Sequence, residues 1–362
     1  MSLHFHKITV KDIRKETPDC ISVSFDIPRD LQEEFSFVQG QNITIRKNID
    51  GDELRRNYSL CTSPADGDFR IAIKQMEGGK FSTWANSKLK AGDVLELLPP
   101  TGKFNTALHP EAKKRYLAFA AGSGITPIMS IIKTTLETEL HGQFTLIYGN
   151  RNRQQIIFRE ELENLKNKAM DRLHIVHILS REFTDSAVNH GRINSKKCDE
   201  LCNRLIDLNT FDEIFICGPE EMIFSVKDFL TSNGISSEHI HFELFTTPVL
   251  HQKSQDVQIK SGDKIEIGMI ANIRIRLDGI VSSFPLSAEG DTILNAALKH
   301  GIDLPFACKG GVCATCRAKL QEGKVHMDLN YALESDELER GFILTCQSHP
   351  LSNEVFVDYD AR

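Results

Sequence analysis

The sequence predicts a multidomain α/β and β protein: an antiparallel β-barrel, a parallel α/β sheet, and a small C-terminal β-domain built around a cysteine array. Three observations carry that reading. Short runs alternating apolar and polar residues fill the N-terminal part, near-continuous apolar runs alternate with helical patterns in the middle, and Cys308, Cys313, Cys316 and Cys346 follow the spacing C-x4-C-x2-C…C.

At 362 residues the chain has room for about two or three domains, each able to bury its own core. A formal net charge of −7 argues against general nucleic-acid binding. The start, Met-Ser-Leu-His-Phe-His-Lys, has no basic segment followed by an apolar core, so no signal peptide is expected. The longest apolar stretch, Leu117 to Ile132, is broken by Gly122, Ser123, Gly124, Thr126 and Pro127 and is too short to span a bilayer. The odd total of nine cysteines suits a reducing compartment better than a disulfide framework. The expected setting is therefore the cytoplasm, with neither membrane nor nucleic acid as a partner.

Residues 1–108 contain Ile8-Thr-Val10, Ile21-Ser-Val-Ser-Phe25, Asn42-Ile-Thr-Ile-Arg46 and Phe69-Arg-Ile-Ala-Ile73, separated by turn residues. Such alternation over short runs makes half-buried strands, hence the barrel. Residues 109–245 carry the buried-looking strands Tyr116–Ala120, Phe144–Tyr148, Leu173–Ile178 and Glu213–Cys217 between helical patterns, as in a parallel sheet covered on both faces. The polar stretch 246–268 reads as a linker, and 269–362 opens on the strand Ile273–Leu277 and holds the cysteines.

The cysteine spacing is that of a plant-type [2Fe-2S] loop. Three thiolates must converge from one loop, which needs a backbone free to turn inward, and Gly310 and Gly311 are expected to supply that freedom. Structural zinc is the rival, but it favours paired C-x2-C or Cys/His sets, and only Cys313 and Cys316 form one. A cluster of this type moves single electrons, so the upstream domains should supply them.

In the first block, Arg56-Asn-Tyr58-Ser59-Leu60 puts a cation, a ring and a hydroxyl on one strand, suited to an anionic planar cofactor. Lys74 and the run Gly78-Gly79-Lys-Phe-Ser82-Thr83 follow, a small-residue turn opening a helix whose N–H groups suit a pyrophosphate. In the second block, Gly122-Ser-Gly124-Ile-Thr126-Pro127 lies between an apolar strand and an apolar helix, where a glycine turn lets a dinucleotide approach the backbone. Cys217-Gly218-Pro219, at the end of another strand, belongs on the same rim, although for Cys217 taken alone a buried strand-end thiol is the favoured reading.

With Arg-x-Tyr-Ser, Gly-Ser-Gly-Ile-Thr-Pro, Cys-Gly-Pro and the C-terminal array in this order, the whole chain resembles the ferredoxin-NADP reductase superfamily. Within it, the chain looks most like reductase components of multicomponent oxygenases, in particular those of phenylacetyl-CoA epoxidase systems. That likeness rests on Tyr148-Gly-Asn-Arg151, Ile156–Glu161, Cys308–Leu320 and Met327–Leu333 before Leu344-Thr-Cys-Gln347; ketosteroid hydroxylase reductases are similar. The resemblance implies a β-grasp ferredoxin domain, FAD, a [2Fe-2S] cluster held by Cys308, Cys313, Cys316 and Cys346, and NADPH or, alternatively, NADH. It implies that Tyr58 lies against the flavin, that Ser59 hydrogen-bonds near its N5, and that Arg56 neutralises its phosphate. Leu60, Lys74, Gly79, Ser82 and Thr83 would complete the flavin site. Gly122, Gly124, Thr126, Pro127, Cys217, Gly218 and Pro219 would border the nicotinamide. Phe245 would cover the other flavin face, with Phe242 the competing candidate.

Coenzyme choice falls to Ser180-Arg181-Glu182. A hydroxyl and a fixed cation suit a 2′-phosphate and so NADPH, Arg151 could add a contact, and Glu182 points the other way. His174 with His177, and Cys198 with Cys202, are expected to be packing residues rather than metal pairs. The acidic group Glu334, Asp336, Glu337 and Glu339 reads as a solvated helix face, or as a surface that steers a basic partner. The function these signs imply is an NADPH-dependent reductase serving a separate oxygenase or another acceptor. The reading from another class is a redox sensor or carrier scaffold without turnover.

Overall fold

The computed structural model describes residues 4–184, 186–245 and 268–361. The chain divides into two compact units, one mainly His6–Leu54 with Tyr58–Leu244, the other mainly Phe245–Arg362. The linker expected over 246–268 lies, Gly268 apart, outside the described residues.

The first unit begins with six antiparallel strands, β1 (His6–Thr17), β2 (Cys20–Asp26), β3 (Asn42–Ile49), β4 (Asp52–Ser59), β5 (Phe69–Lys74) and β6 (Val94–Leu97), with helix α1 (Lys80–Lys88) between β5 and β6. They are ordered β4-β3-β6-β1-β2-β5. A single bridge between Leu60 and Ile71 joins the two ends, closing the sheet into a barrel. Inward residues alternate as the sequence pattern requires: Ile8 and Val10, Ile21 and Val23, Ile43 and Ile45, Ile71 and Ile73 fill the interior together with Phe81.

A five-stranded parallel sheet follows: β7 (Arg115–Ala121), α2 (Ile125–Thr138), β8 (Gln143–Asn150), α3 (Arg159–Ala169), β9 (Leu173–Leu179), α4 (Ser195–Cys202), β10 (Glu213–Cys217), α5 (Glu220–Ser232) and β11 (Ile240–Glu243). Its order is β11-β10-β7-β8-β9. The chain runs outward from β7 through β8 to β9, then crosses back to place β10 on the other side of β7, so the topological switch lies between β7 and β10. In such sheets the crevice at the carboxyl ends of the switch strands is where ligands bind. Tyr116 to Ala120 and Ile214 to Cys217 are buried on both faces. The expectation of a buried strand at 173–178 needs correction, since β9 is a sheet edge, with His174 exposed and Ile175 to His177 half-buried.

Helix α2 ties the barrel to the sheet. Ser130 Oγ donates to the Thr62 carbonyl at 2.6 Å, Lys133 Nζ reaches Asp66 at 3.0 Å, and Ser63 Oγ donates to Glu137 at 2.5 Å.

The second unit contains β12 (Ile270–Leu277), β13 (Ile280–Ser287), α6 (Ile293–Lys299), β14 (Arg317–Glu322), β15 (Val325–Met327), α7 (Ser335–Glu339), β16 (Phe342–Leu344), β17 (Ser348–Pro350) and β18 (Glu354–Asp358). The main sheet runs β13-β12-β18-β14-β16, with β12 parallel to β18 and both flanked by antiparallel partners. Helix α6 packs Ile293, Leu294 and Ala297 onto Ile273, Ile275, Val355 and Val357. Cys316 and Cys346 sit at the margin of this core.

Candidate functional site: a flavin and nicotinamide crevice and a four-cysteine loop

At the switch point two loops touch through their backbones. A Cβ placed on Gly124 would lie 2.1 Å from the Cys217 carbonyl oxygen and 2.8 Å from the Gly218 nitrogen, and one on Gly218 would lie 3.2 Å from the Ala121 nitrogen. Gly122 takes φ +54, which favours glycine, and its carbonyl accepts the Tyr148 hydroxyl at 3.1 Å. Gly124→Ala is expected to cost about 1–3 kcal/mol, because the obstructing atoms are backbone and cannot rotate away. A lowered thermal midpoint and weakened coenzyme binding in a titration are the readouts.

Cys217 ends β10 in this contact, pairs in register with Glu243 of β11, and is fully buried. Burial, with Glu243 beside it, pushes its thiol well above the usual range, so it is a neutral S–H at physiological pH. Thr126, also buried, donates its hydroxyl to the Ser123 carbonyl at 3.0 Å, so it braces the glycine turn. Pro127 is buried in the first turn of α2, where its missing N–H costs nothing, and Pro219 caps α5.

The barrel brings two predicted residues, Lys74 and Ser59, to the same crevice. Lys74, at the end of β5, extends Nζ to 3.6 Å from the position a Gly122 Cβ would take. Tyr58 and Ser59 are neighbours on β4 and so face opposite sides of the strand. Tyr58 packs against Phe81 of the barrel core, ring centres 5.7 Å apart, while Ser59 faces the parallel sheet and donates to Glu243 Oε2 at 2.9 Å.

Glu243 is the site residue that sequence reasoning missed. Asn42 Nδ2 donates to its other oxygen at 3.3 Å. As a residue Glu243 retains some exposure, but its carboxyl is set deep enough that desolvation pushes it up to about 7 against the pull of Ser59 and Asn42. Its two oxygens thus accept from two barrel residues, at the switch point and beside the Cys217 thiol. The signal was available as one acid inside the apolar run Ile240–Leu244.

The remaining flavin candidates are placed as follows. Leu60 is fully buried in the barrel core, so only its backbone faces any ligand. Gly79 caps α1 without a side chain, leaving the first-turn N–H groups with no partner inside the helix. Ser82 commits its hydroxyl to the loop, accepting from Met76 N at 3.0 Å and donating to Gly79 O at 3.3 Å. Thr83 and Arg56 are exposed, with Arg56 Nη1 donating to the neighbouring Arg55 carbonyl at 2.7 Å. Phe245 is 41% exposed. Phe242 has Lys227 of α5 over its ring at 4.6 Å, which directs it to that helix. Taken together, the bare N-terminus of α1, the glycine turn and the buried Ser59–Glu243 pair fit a flavin held between barrel and sheet.

Farther along the rim, the segments after β8 and β9 continue side by side: Ser180 N donates to Asn150 O at 2.9 Å and Arg181 N to Arg151 O at 2.8 Å. Glu182 does not face the Ser180–Arg181 pair's task. Its carboxylate accepts from Arg153 N at 2.8 Å and from Arg153 Nε at 3.1 Å.

In the second unit the four cysteines converge. The Cys313 and Cys308 sulfurs are 3.2 Å apart, and Cys346 lies within hydrogen-bond reach of Cys308 and Cys316. Donation from Cys313, Cys346 and the Gly310 N–H depresses the Cys308 thiol, while Cys313 and Cys346, sharing protons with it, are raised. A donor set in which one sulfur already draws on its neighbours fits a small thiolate-bound cluster. The left-handed positions of the loop are Gly311, φ +74, and Lys309, φ +53, rather than both glycines. The acidic group beyond it is not a solvated face throughout. Glu337 is 1% exposed and ion-paired with Arg317, which follows Cys316, and its carboxylate also accepts the Glu334 N–H; a five-residue helix has too few turns to offer an open face. Cys198 is buried and Cys202 half-buried in α4, as packing residues.

The chain matches the families described as Oxidoreductase FAD-binding domain over residues 7–106, Oxidoreductase NAD-binding domain over 119–228, and 2Fe-2S iron-sulfur cluster binding domain over 275–351. It is 44% identical to a 1,2-phenylacetyl-CoA epoxidase subunit of Escherichia coli (strain K12), across 99% of this chain and 98% of that protein. It is 31% identical to the 3-ketosteroid-9-alpha-monooxygenase ferredoxin reductase component of Rhodococcus rhodochrous, across 97% and 96%. Among solved structures, phthalate dioxygenase reductase shares the fold with TM-score 0.55 at 20% identity, covering 98% of both chains. No helix among the described residues is long and apolar enough to cross a membrane. The barrel, the switch-point crevice and the four-cysteine loop thus agree with these matches, and the chain belongs to the ferredoxin-NADP reductase superfamily as an oxidoreductase with FAD-binding, NAD-binding and [2Fe-2S] ferredoxin domains.

Proposed function

We propose that the chain takes hydride from NADPH in preference to NADH and delivers single electrons, in the cytoplasm, to the oxygenase subunits of a phenylacetyl-CoA epoxidase in phenylacetate breakdown. The coenzyme preference rests on Glu182. An acid beside the adenosine ribose would favour NADH, but this one is engaged by the Arg153 backbone and guanidinium, which leaves Arg181 as the cation for a 2′-phosphate, with the Ser180 hydroxyl beside it donating to Asn150 O at 3.4 Å and keeping its oxygen as an acceptor. The choice of acceptor rests on the 44% identity over nearly the full length, against 31% for the ketosteroid reductase. A carrier scaffold without turnover would have no use for a built nicotinamide crevice.

Bound FAD accepts two electrons as a hydride and releases them singly, and a plant-type cluster relays single electrons at about −400 mV. The chain's own contribution is to orient and to exclude water. Ser59 and Glu243 place a hydroxyl and a titrating carboxyl in the crevice, Cys217 and the glycine turn shape the nicotinamide wall, and the half-buried Tyr58, backed by Phe81, offers an aromatic ring. The four cysteines hold the exit to the partner.

Anaerobic mixing with each coenzyme tests the reading: NADPH should bleach the flavin and then the cluster, and a protein that bleached with neither would not be this reductase. Arg181→Ala should raise the KM for NADPH by about tenfold, equivalent to 1.4 kcal/mol, and leave that for NADH unchanged. Equal effects on both coenzymes would remove the preference. Turnover of phenylacetyl-CoA with purified epoxidase subunits tests the acceptor.

A further inference from the structure

We propose that Gln347 is a positioning residue for the iron–sulfur cluster, clamping the ligand loop to the fourth ligand and setting the electron affinity of the site through the Cys346 sulfur. Gln347 is 8% exposed and lies between β16 and β17. Its backbone is fixed at both ends, its N–H donating to Leu344 O at 2.9 Å and its carbonyl accepting from Asp328 N at 2.9 Å. The side chain therefore has one direction to take. Its Nε2 stands 3.1 Å from Lys309 O, 2.9 Å from Cys346 O and 3.7 Å from Cys346 Sγ. One carboxamide thus joins the loop that carries Cys308 and Cys313 to the strand end that carries Cys346.

Two further contacts show that this is a built arrangement. Lys309 holds φ +53, a left-handed conformation disfavoured for a residue with a side chain, and the Gln347 amide binds the carbonyl of that residue. The Gln347 stem also packs against the loop, since a Cβ on Gly311 would come within 3.2 Å of its Cγ. Removing the carboxamide would release a strained peptide next to Cys308 and withdraw a donor from a ligand sulfur.

The direction of the effect follows from charge. Reduction adds an electron to a site ringed by thiolates, and an amide N–H shared between the Cys346 carbonyl and its sulfur stabilises the added negative charge. Without it the cluster binds its electron less tightly.

Gln347→Met keeps the length of the stem and deletes both donors; Gln347→Glu keeps the shape and adds an acceptor. In an EPR-monitored anaerobic redox titration of the holoprotein, both should lower the equilibrium constant for cluster reduction, the Met variant by about tenfold, or 59 mV for one electron. Unchanged potentials in both would overturn the proposal, since a merely structural clamp would lower cluster retention and leave the potential of the retained cluster alone. A measurement on the wild-type chain stands independently of whether the variants hold the cluster. With glutamine labelled by ¹⁵N in the side chain, pulsed EPR of the reduced cluster should show a weak nitrogen coupling, and absence of that coupling would also overturn it.

Discussion

Cys346→Ala abolishes electron delivery to cytochrome c or to the oxygenase while NADPH continues to bleach the flavin at the wild-type rate. The reasoning is positional. Three of the proposed ligand sulfurs come from one loop and the fourth from just beyond β16, in contact with Cys308 and Cys316, so losing Cys346 opens one whole side of the donor set. A three-thiolate remnant does not retain a plant-type cluster, and its visible and EPR signals should be absent from the purified variant. The hydride-accepting crevice lies in the other compact unit, where none of its named residues depends on Cys346. Ferricyanide, which accepts directly from reduced flavin, should still be reduced. If flavin bleaching were lost along with cytochrome c reduction, the order of the two centres would be wrong.

Ser59→Ala slows flavin reduction by about 10²-fold, the usual worth of a positioned proton-bearing group at a reacting centre, and Glu243→Gln removes the pH dependence of that step near neutrality. When Glu243 is ionised, the Ser59 hydrogen is held by the carboxylate, as the 2.9 Å bond shows. When Glu243 is protonated, its own O–H can donate to Ser59, which frees the serine hydrogen for the ligand. Flavin reduction should therefore fall as pH rises through about 7 in the wild type, and Gln, which always donates, should hold it level. Stopped-flow rates across that range check both statements, and a wild-type profile that is flat or rises would contradict them. The same group affects folding. Its carboxyl is raised from 4.5 to about 7, so the folded state binds more protons than the unfolded chain between those values. Stability is greatest below 4.5 and declines as pH rises to about 7, by at most about 3 kcal/mol before residual exposure is allowed for. Glu243→Gln should lose that decline, seen as thermal midpoints that converge with the wild type at low pH and exceed it at high pH.

How legible these features were depends on how local their physical causes are. The cysteine spacing is a constraint within one loop plus one distant residue, and it could be read directly. The glycine turn was legible because its requirement, close backbone approach, excludes almost every other residue. Ser59 was found, but its partner was not, since Glu243 becomes meaningful only when β11 is laid beside β10 and the barrel is closed over both. Glu337 failed for the opposite reason: four acids in a short stretch look like surface, whereas Arg317 on a strand far away in sequence draws one of them inside. Likewise, β9 reads as a buried strand because its composition is apolar, and only the order of strands reveals it as an edge.

On the proposed reading, the backbone contact at Gly124 leaves no room for variation at the reactive end of the coenzyme, while the segment Ser180–Glu182, tied by two main-chain bonds to the end of β8, carries its discriminating groups on side chains. The two ends of the coenzyme are thus served by parts of very different tolerance. A chain of this design can change from one nicotinamide coenzyme to the other by rewriting a few positions after β9, with the reactive end of the crevice left as it is.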